Sequence, residues 1–241
     1  MGRARRGGLR AALPPALVQR ARAARAVLAR RPDPWLTEGF GQGESHGVRI
    51  RPLHHRDEAA WALAMRANHE RMRPWWSLGE DDLDRLTDRL AFEAHMADWE
   101  RRRRYGTGLC LAFVGPHGLV GELQMWHLQR GGKTCEVGLW LAPGQPRTVM
   151  RGVAGCMGYA ADRMFGELGL ERLDAPVATE NRLPRSILEL SGFEIDASIP
   201  RWRELHGELV DYDLFGLSPE RYARARDRGW RLVGPWGPVG G

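Results

Sequence analysis

Lysine, cysteine and long apolar runs are scarce in this chain of 241 residues, and the last two scarcities limit the kinds of site and segment that we expect. Lys133 is the only lysine among 36 basic side chains, which we interpret as codon bias in a GC-rich genome. Cys110, Cys135 and Cys156 are far apart and form no CxxC pair, so we expect neither a disulfide framework nor a structural zinc site. The same cysteine usage fits a reducing cytosol, so we expect a cytoplasmic protein. No run of 18 apolar residues occurs, so we expect no transmembrane helix.

Acidic residues are missing from the first 32 positions, which hold nine arginines. Subtracting these nine from the 36 basic side chains leaves 27 against 30 acidic ones, so the rest of the chain is slightly acidic despite the overall charge of +6. The basic character belongs to an N-terminal arm, residues 1–46, in which residues 15–31 could form a helix. Three interpretations of the arm stay open: a loose extension, a contact with RNA or the ribosome, or a targeting peptide.

The apolar spacing predicts one mixed α/β domain over residues 47–217, followed by a short helix and a loose tail over 218–241. We expect Asp57 to cap the first helix and a two-glycine turn over residues 130–133 to join two strands. The predicted strands are 48–53, 109–115, 119–128, 134–142, 172–179, 201–206 and 208–217. The predicted helices are 57–71, 83–104, about 149–168, and a short one that opens at Asn181.

Residues 136–193 are the most informative stretch. They read as a strand, a glycine turn over residues 151–154, a long amphipathic helix that ends near Leu170, a second strand and a short helix. A strand that leads through a glycine turn into a helix N-terminus presents free backbone N–H groups to an anion. The pattern therefore predicts a site for a phosphate-bearing cofactor.

Several phrases of this sequence, taken in their order, resemble the GNAT N-acetyltransferase superfamily over residues 48–217. Among them are Glu136-Val-Gly-Leu-Trp-Leu141, Arg151-Gly-Val-Ala154, Glu180-Asn181 and Ser191-Gly-Phe193. Within the superfamily, the chain is most similar to the ribosomal-protein-alanine N-acetyltransferases. The resemblance implies a mixed, mostly antiparallel sheet of about seven strands with about four helices, splayed between its fourth and fifth strands, here 134–142 and 172–179.

The same resemblance implies that acetyl-CoA lies in this splay. Gly152 is expected to let the backbone approach the pyrophosphate closely, and Ala154 to leave room for the cofactor. Asn181 is expected either to contact the pantetheine region or to be a plain helix cap. The backbone donors expected for the pyrophosphate are Val149, Met150, Arg151, Gly152, Val153 and Ala154. The expected strand-like partners of the pantetheine arm are Leu139, Trp140 and Leu141.

The implied chemistry is direct attack of a neutral amine on the thioester, so the site must take up a proton, hold the oxyanion and release a thiolate. Glu136 is the candidate base, with an ordinary exposed strand acid as the alternative, and a backbone N–H near Leu139 is the expected oxyanion donor. Leu188 and Pro184 stand where the family has a tyrosine or a serine that protonates the thiolate. Ser186 is therefore only a weak candidate for that role.

The acceptor site is expected between the loop after the first helix and the final hairpin, with Trp75, Trp76, Glu204 and His206 as candidates. The last two could equally be solvated turn residues. We expect an acetyl-CoA-dependent N-acetyltransferase acting on a primary amine, foremost a protein N-terminus. A small-molecule amine acetyltransferase, for an aminoglycoside or a metabolite, and an inactive acyl-CoA- or RNA-binding module are the alternatives. No metal is expected, and the sequence leaves monomer and homodimer open.

Overall fold

A computed structural model describes residues 40–75, 86–129 and 133–227. Several predicted features lie outside these residues. They are most of the arginine-rich arm with its helix over 15–31, the predicted start of the second helix, Trp76, the two glycines of the predicted turn and the C-terminal tail. No helix within the described residues is long and apolar enough to cross a membrane.

The described residues form one sheet of eight strands with five α-helices. The strands are β1 Gly43–Ser45, β2 Val48–Pro52, β3 Leu109–Gly115, β4 Gly118–Gln129, β5 Thr134–Leu141, β6 Arg172–Ala178, β7 Glu194–Leu205 and β8 Glu208–Leu217. The helices are α1 Glu58–Met72, α2 Arg89–Tyr105, α3 Arg147–Gly166, α4 Arg182–Leu190 and α5 Pro219–Asp227. The spatial order of the strands is β1-β2-β3-β4-β5-β6-β8-β7. The predicted mixed, mostly antiparallel α/β fold is confirmed.

The β5–β6 pair is the one parallel pair in this sheet, because the chain returns through the long helix α3 before it forms β6. Its register covers three residue pairs, which end at Glu136↔Asp174. Beyond this pair the two strands separate, although five more residues of β5 and four more of β6 follow. The sheet therefore has the predicted splay between these two strands.

Side chains alternate between the two faces of β5, as the pleat of a strand requires. Val137, Leu139 and Leu141 belong to the main core beneath α3, with Ile50, Phe113, Met125 and Phe215. Trp140 belongs to a second core beneath α1 and α2, together with Trp61 and Phe92. A ligand in the splay would thus be accessible from both faces of the sheet, and the two faces carry different cores.

The fold begins before the predicted domain start at residue 47. Phe40 is 1% exposed within the main core, and β1 pairs with β2 through residues 43–45. The short helix α5 is also part of the packed domain, because Tyr222 is buried in the main core. The end of the N-terminal arm, from Phe40 onward, and helix α5 are therefore part of the packed domain. Their apolar contacts are with residues distant in the sequence, which local pattern does not predict.

One helix start differs from the prediction. The Asp57 carboxylate does not cap α1; it accepts hydrogen bonds of 2.7 and 2.8 Å from the buried Arg51 guanidinium and one of 2.8 Å from the His54 N–H. Within the described residues, helix α2 begins at Arg89, where the Asp88 side chain accepts a bond of 2.7 Å from the backbone N–H of Ala91.

Candidate functional site

After Glu136, the backbone groups on the edge of β5 that faces β6 have no partner in a neighbouring strand. Ala142 N donates to Val120 O on the β4 side, whereas Lys133 O accepts from Glu171 N on the β6 side. Because alternate residues of a strand point their N–H and C=O groups to opposite edges, odd-numbered residues of β5 face β6. The register with β4 is regular from residue 136 to residue 141, so this alternation is not interrupted. The residues whose backbone groups face the gap are Val137, Leu139 and Leu141.

A small apolar cavity lies where the two strands part, between β5, α3 and α4. Five of the predicted cofactor-binding residues line it together with Met157, Ile187 and Ser191. The predicted residues brought together here are Leu139, Leu141, Met150, Val153 and Ala154. Trp140 is not among them, because its side chain points to the opposite face of the sheet.

The predicted glycine turn over residues 151–154 is wrong, because this segment lies inside helix α3. The helix begins at Arg147 after Pro146, whose φ of −60° and ψ of 153° set the chain up for a helix start. Met150 N already donates to Pro146 O at 3.0 Å. The N–H groups of Thr148 and Val149 lie in this first turn, before the first bond from residue i to residue i−4, so of the expected donors only Val149 lies at the helix end where an anion would be bound.

Gly152 serves packing in this structure rather than close approach of a phosphate. A Cβ atom at this position would lie 2.5 Å from Val48 Cγ2 and 2.6 Å from the backbone O of Ser45. At Gly155, one turn further on, it would lie 2.1 Å from Ser45 Oγ. The two glycines let α3 lie directly on the β1–β2 hairpin, which explains glycines in the middle of a helix.

Glu136, the candidate base, lies at the last paired residue before the strands separate, and its side chain is 20% exposed. The Arg203 guanidinium donates to both carboxylate oxygens, at 3.3 and 3.2 Å, and His127 Nδ1 lies 3.4 Å away. Arg203 is itself stacked 4.2 Å from the ring centre of Trp202 and 5.7 Å from that of Tyr212. The Glu136 carboxylate is therefore fixed by contacts with neighbouring side chains and is not a freely solvated acid on the surface of a strand.

The two predicted walls of the acceptor site touch each other. Trp75 packs against the cluster of Ala178, Leu205 and Tyr212, and burial raises the pKa of Tyr212. The His206 Nε2–H donates to Arg73 O at 2.8 Å, which links the final hairpin to the loop after α1.

The other predicted site residues lie around this contact with less definite roles. Glu204 is exposed on β7 opposite Leu209. Asn181 is the N-cap of α4, but its side chain makes no capping hydrogen bond, so the plain-cap interpretation receives no support. Ser186 lies within α4, and its side chain is outside the described part of the chain.

A buried carboxylate that sequence reasoning missed lies on the α1–α2 face of the sheet. Glu122 is 0% exposed and accepts hydrogen bonds from His95 Nε2 at 3.1 Å, Gln124 Nε2 at 2.7 Å and Trp140 Nε1 at 3.0 Å. Burial by itself raises the pKa of Glu122, but the bonds from His95, Trp140 and Gln124 outweigh it and keep the pKa below its usual value. The only signal in the sequence for this buried carboxylate was an acidic residue within a largely apolar strand.

His95, Cys110 and Glu122 bring an imidazole, a thiol and a carboxylate within 4.8 Å of one another, the one such group among the described residues. Burial, followed by the charge of Glu122, raises the pKa of the Cys110 thiol well above its usual value. We describe the group as a hydrogen-bonded network that holds the imidazole of His95 in place.

Comparisons with known proteins agree with this geometry. The sequence model of the acetyltransferase (GNAT) domain family matches residues 48–194. RimJ of Mycobacterium smegmatis, in complex with CoA-disulfide, is 23% identical, with a TM-score of 0.66 over 78% of this chain and 92% of that one. Ribosomal-protein-S5-alanine acetyltransferase from Vibrio fischeri is 16% identical, with a TM-score of 0.64 over 75% of this chain and 98% of that one.

A spermidine N-acetyltransferase SpeG chimera, from Vibrio cholerae and hSSAT, has the same fold at 16% identity, with a TM-score of 0.56 over 73% of this chain and 98% of that one. No curated protein matches this chain in sequence. The domain match, the eight-stranded sheet and its splay all lead to one conclusion. This chain belongs to the acetyltransferase (GNAT) domain family and is an N-acetyltransferase.

Proposed function

We propose that this protein transfers an acetyl group directly from acetyl-CoA to the α-amine of a protein N-terminus. The single observation that carries the proposal is the splay: β5 and β6 pair up to Glu136↔Asp174 and then separate. Donor and acceptor can then meet through the gap, the donor from the α3–α4 face and the acceptor from the α1–α2 face. A ternary complex of this kind needs no covalent enzyme intermediate.

The residues around the gap fit the donor. The first-turn N–H groups of Thr148 and Val149 would bind its diphosphate, and the backbone of Leu139 and Leu141 would pair with its amide-bearing arm. The apolar cavity beside Ala154 would receive the arm's methylene groups. The donor supplies a thioester, whose carbonyl carbon accepts the amine, and the backbone N–H of Leu139 is the proposed donor to the developing oxyanion.

Glu136 is the group that we propose to take the proton from the acceptor's ammonium, directly or through a water, which leaves the neutral amine to attack the thioester. It begins the open part of β5 and shares its face with Trp140, the side from which the acceptor would come. Arg203 would keep this carboxylate in place until the amine arrives. The departing coenzyme thiolate has a low enough basicity that water can protonate it, so loss of the family's acid residue need not abolish turnover.

The likeness to the ribosomal-protein-S5-alanine acetyltransferase supports a protein acceptor. The spermidine N-acetyltransferase with the same fold favours the second candidate, a small-molecule amine. We propose the cytoplasm as the place of action, where newly made ribosomal proteins offer their N-termini.

Calorimetric titration with acetyl-CoA, followed by release of free thiol in the presence of amines, tests the proposal. Peptides should be acetylated in preference to spermidine and to an aminoglycoside. Glu136→Gln should lower kcat by about 100-fold or more without weakening acetyl-CoA binding. Glu70→Gln removes a largely exposed carboxylate on α1 and is the matched control. Full activity of Glu136→Gln would remove its assigned role, and no binding of acetyl-CoA would refute the proposed function.

A further inference from the structure

The group of His95, Cys110 and Glu122 connects three elements of the fold, which are helix α2, strand β3 and strand β4. Cys110 lies directly opposite Gln124 in the β3–β4 ladder, and Glu122 lies two residues from Gln124 on the same face of β4. His95 comes from α2 above this face, and its Nε2 lies 3.1 Å from Glu122 Oε1. An imidazole, a thiol and a carboxylate therefore converge between the helix and the sheet.

These three donors form a set that suits Zn²⁺, which binds imidazole nitrogen, thiolate sulfur and carboxylate oxygen in tetrahedral sites. Bonds of about 2.0–2.3 Å place the ligand atoms of such a site about 3.3–3.6 Å apart. His95 Nε2 and Glu122 Oε1 are already close to this spacing, and all three ligand atoms lie within 4.8 Å of one another. The sulfur ligand disfavours Mg²⁺ and Ca²⁺, which select oxygen.

The carboxylate and the imidazole are both held by groups outside the set. Glu122 Oε2 accepts hydrogen bonds from Gln124 Nε2 at 2.7 Å and from Trp140 Nε1 at 3.0 Å, which leaves Oε1 on the side of His95. The ring of His95 lies 5.4 Å from the ring of Trp61. Metal ligands in proteins normally have such outer partners, which orient them before the ion arrives.

A divalent ion would also balance the charge of this group. Glu122 is 0% exposed, and a buried carboxylate without a compensating charge is costly. When Zn²⁺ binds, the Cys110 thiol gives its proton to solvent and its sulfur binds the ion, because a bound divalent cation deprotonates a coordinating thiol. One thiolate and one carboxylate then neutralise the two charges of the ion, and His95 stays neutral.

The group has a route to solvent. His95 and Glu122 both border a cavity of about 330 Å³ beneath α1 and α2, and the side chain of His95 is 20% exposed. An ion can reach the group from this cavity by a rotation of the His95 ring, without opening of the sheet. Asp98 borders the same cavity one helical turn further on, but its carboxylate accepts hydrogen bonds from Arg101 and Arg102. A water molecule is therefore the fourth ligand that the cavity offers.

We propose that His95, Cys110 and Glu122 bind one Zn²⁺ ion at a site separate from that of acetyl transfer. The ion ties α2 to β3 and β4 and so stabilises the helical cover on this face of the sheet. Cysteine spacing predicted no structural zinc site, because this site takes one ligand from each of three elements that are separate in the sequence. The assignment is independent of the acceptor's identity.

Co²⁺ tests the site with the full chain, because it takes the place of Zn²⁺ and absorbs light. After treatment with a chelator, titration with Co²⁺ should produce a thiolate-to-metal charge-transfer band in the near ultraviolet that saturates at one ion per chain. Excess Zn²⁺ should displace Co²⁺ and remove the band. If the unchanged protein gives no such band, the inference is overturned.

Serine variants identify the sulfur that binds. Cys110→Ser keeps a donor for Glu122 but removes the thiolate, so it should lose the band and bind Zn²⁺ more weakly by more than the about 100-fold that loss of an outer partner can cause. Cys156→Ser is the matched control, because that thiol is also buried and donates to Val48 O at 3.2 Å in the main core. A band that persists in Cys110→Ser, or disappears in Cys156→Ser, would contradict the assignment.

Thermal unfolding supplies a second readout that needs no acetyl transfer. At free Zn²⁺ of about 100 times Kd, the Tm of the unchanged protein should rise by about 5–10 °C. His95→Gln keeps an N–H for Glu122 but loses a ligand, so it should reduce this rise, whereas His117→Gln in the exposed turn between β3 and β4 should not. An equal Tm of the unchanged protein with and without Zn²⁺ would refute the site even if a variant fails to fold.

Discussion

Replacement of Gly152 by alanine distinguishes a packing glycine from a phosphate-binding one. The new Cβ would lie 2.5 Å from Val48 Cγ2 and 2.6 Å from the backbone O of Ser45, closer than real Cβ contacts come. Because one neighbour is backbone, the contact cannot be relieved by a side-chain rotation alone. Helix α3 must move away from the β1–β2 hairpin, or the hairpin from the helix.

Gly158→Ala is the matched control for this prediction. It lies in the same helix, and its Cβ would lie 3.8 Å from the nearest heavy atom, Tyr222 Oη, which is an ordinary contact. Both variants gain the same helix propensity of about 1 kcal/mol, so the difference between them isolates the steric cost. Overpacking typically costs about 1–3 kcal/mol, which for a chain of this size corresponds to a Tm difference of about 2–12 °C.

Thermal unfolding of both variants and calorimetric titration with acetyl-CoA below the transition are the measurements. We expect Gly152→Ala to have the lower Tm and an acetyl-CoA affinity equal to that of Gly158→Ala. The reverse pattern, an unchanged Tm with lost acetyl-CoA affinity, would show that the backbone at Gly152 meets the diphosphate and that the packing argument is wrong.

Two further predictions concern the ion pair at the start of α1 and the arginine-rich arm. Burial raises the pKa of Asp57, but the hydrogen bonds from Arg51 and from the His54 N–H outweigh burial and lower this pKa overall. The Arg51–Asp57 ion pair therefore stabilises the fold fully above pH 3.8, the ordinary pKa of aspartate, and this stabilisation is lost as the pH falls through the lower pKa of the folded state. Asp57→Asn should therefore cost about 3 kcal/mol in urea unfolding at pH 7, and the difference from the unchanged protein should narrow below pH 4; a constant difference would contradict the assignment. Deletion of residues 1–32 removes nine positive charges and should flatten the salt dependence of any RNA binding without changing peptide acetylation, whose loss would contradict the domain boundary.

Local pattern was enough to predict the elements around the site. The alternation in β5 and the 3–4 residue spacing of apolar residues in α3 are properties of neighbouring residues, and both predictions are confirmed. The splay was predicted from the family resemblance rather than from local pattern, and it too is confirmed. The helix start at Arg147 was missed, because the quoted phrase over residues 151–154 was read as a turn, whereas Pro146 is the residue that precedes the helix.

The roles of single side chains were decided by partners far away in the chain. Glu136 meets Arg203 across 67 residues, and His95 meets Glu122 across 27, so no local spacing connects either pair. The sequence around Gly152 resembles the family's phosphate-binding turn, yet the close neighbours of Gly152 are residues of β1 and β2. Such contacts depend on how the sheet and helices pack.

The sequence by itself determined the order of strands and helices, because hydrophobic periodicity and turn residues act over a few positions of the chain. With the family resemblance, it also predicted the strand beside which the donor would lie. Only the tertiary structure decided which groups meet at the gap and that α3 packs on the β1–β2 hairpin. The physical reason is that a binding site consists of residues made neighbours by burial, and burial is a property of the whole fold.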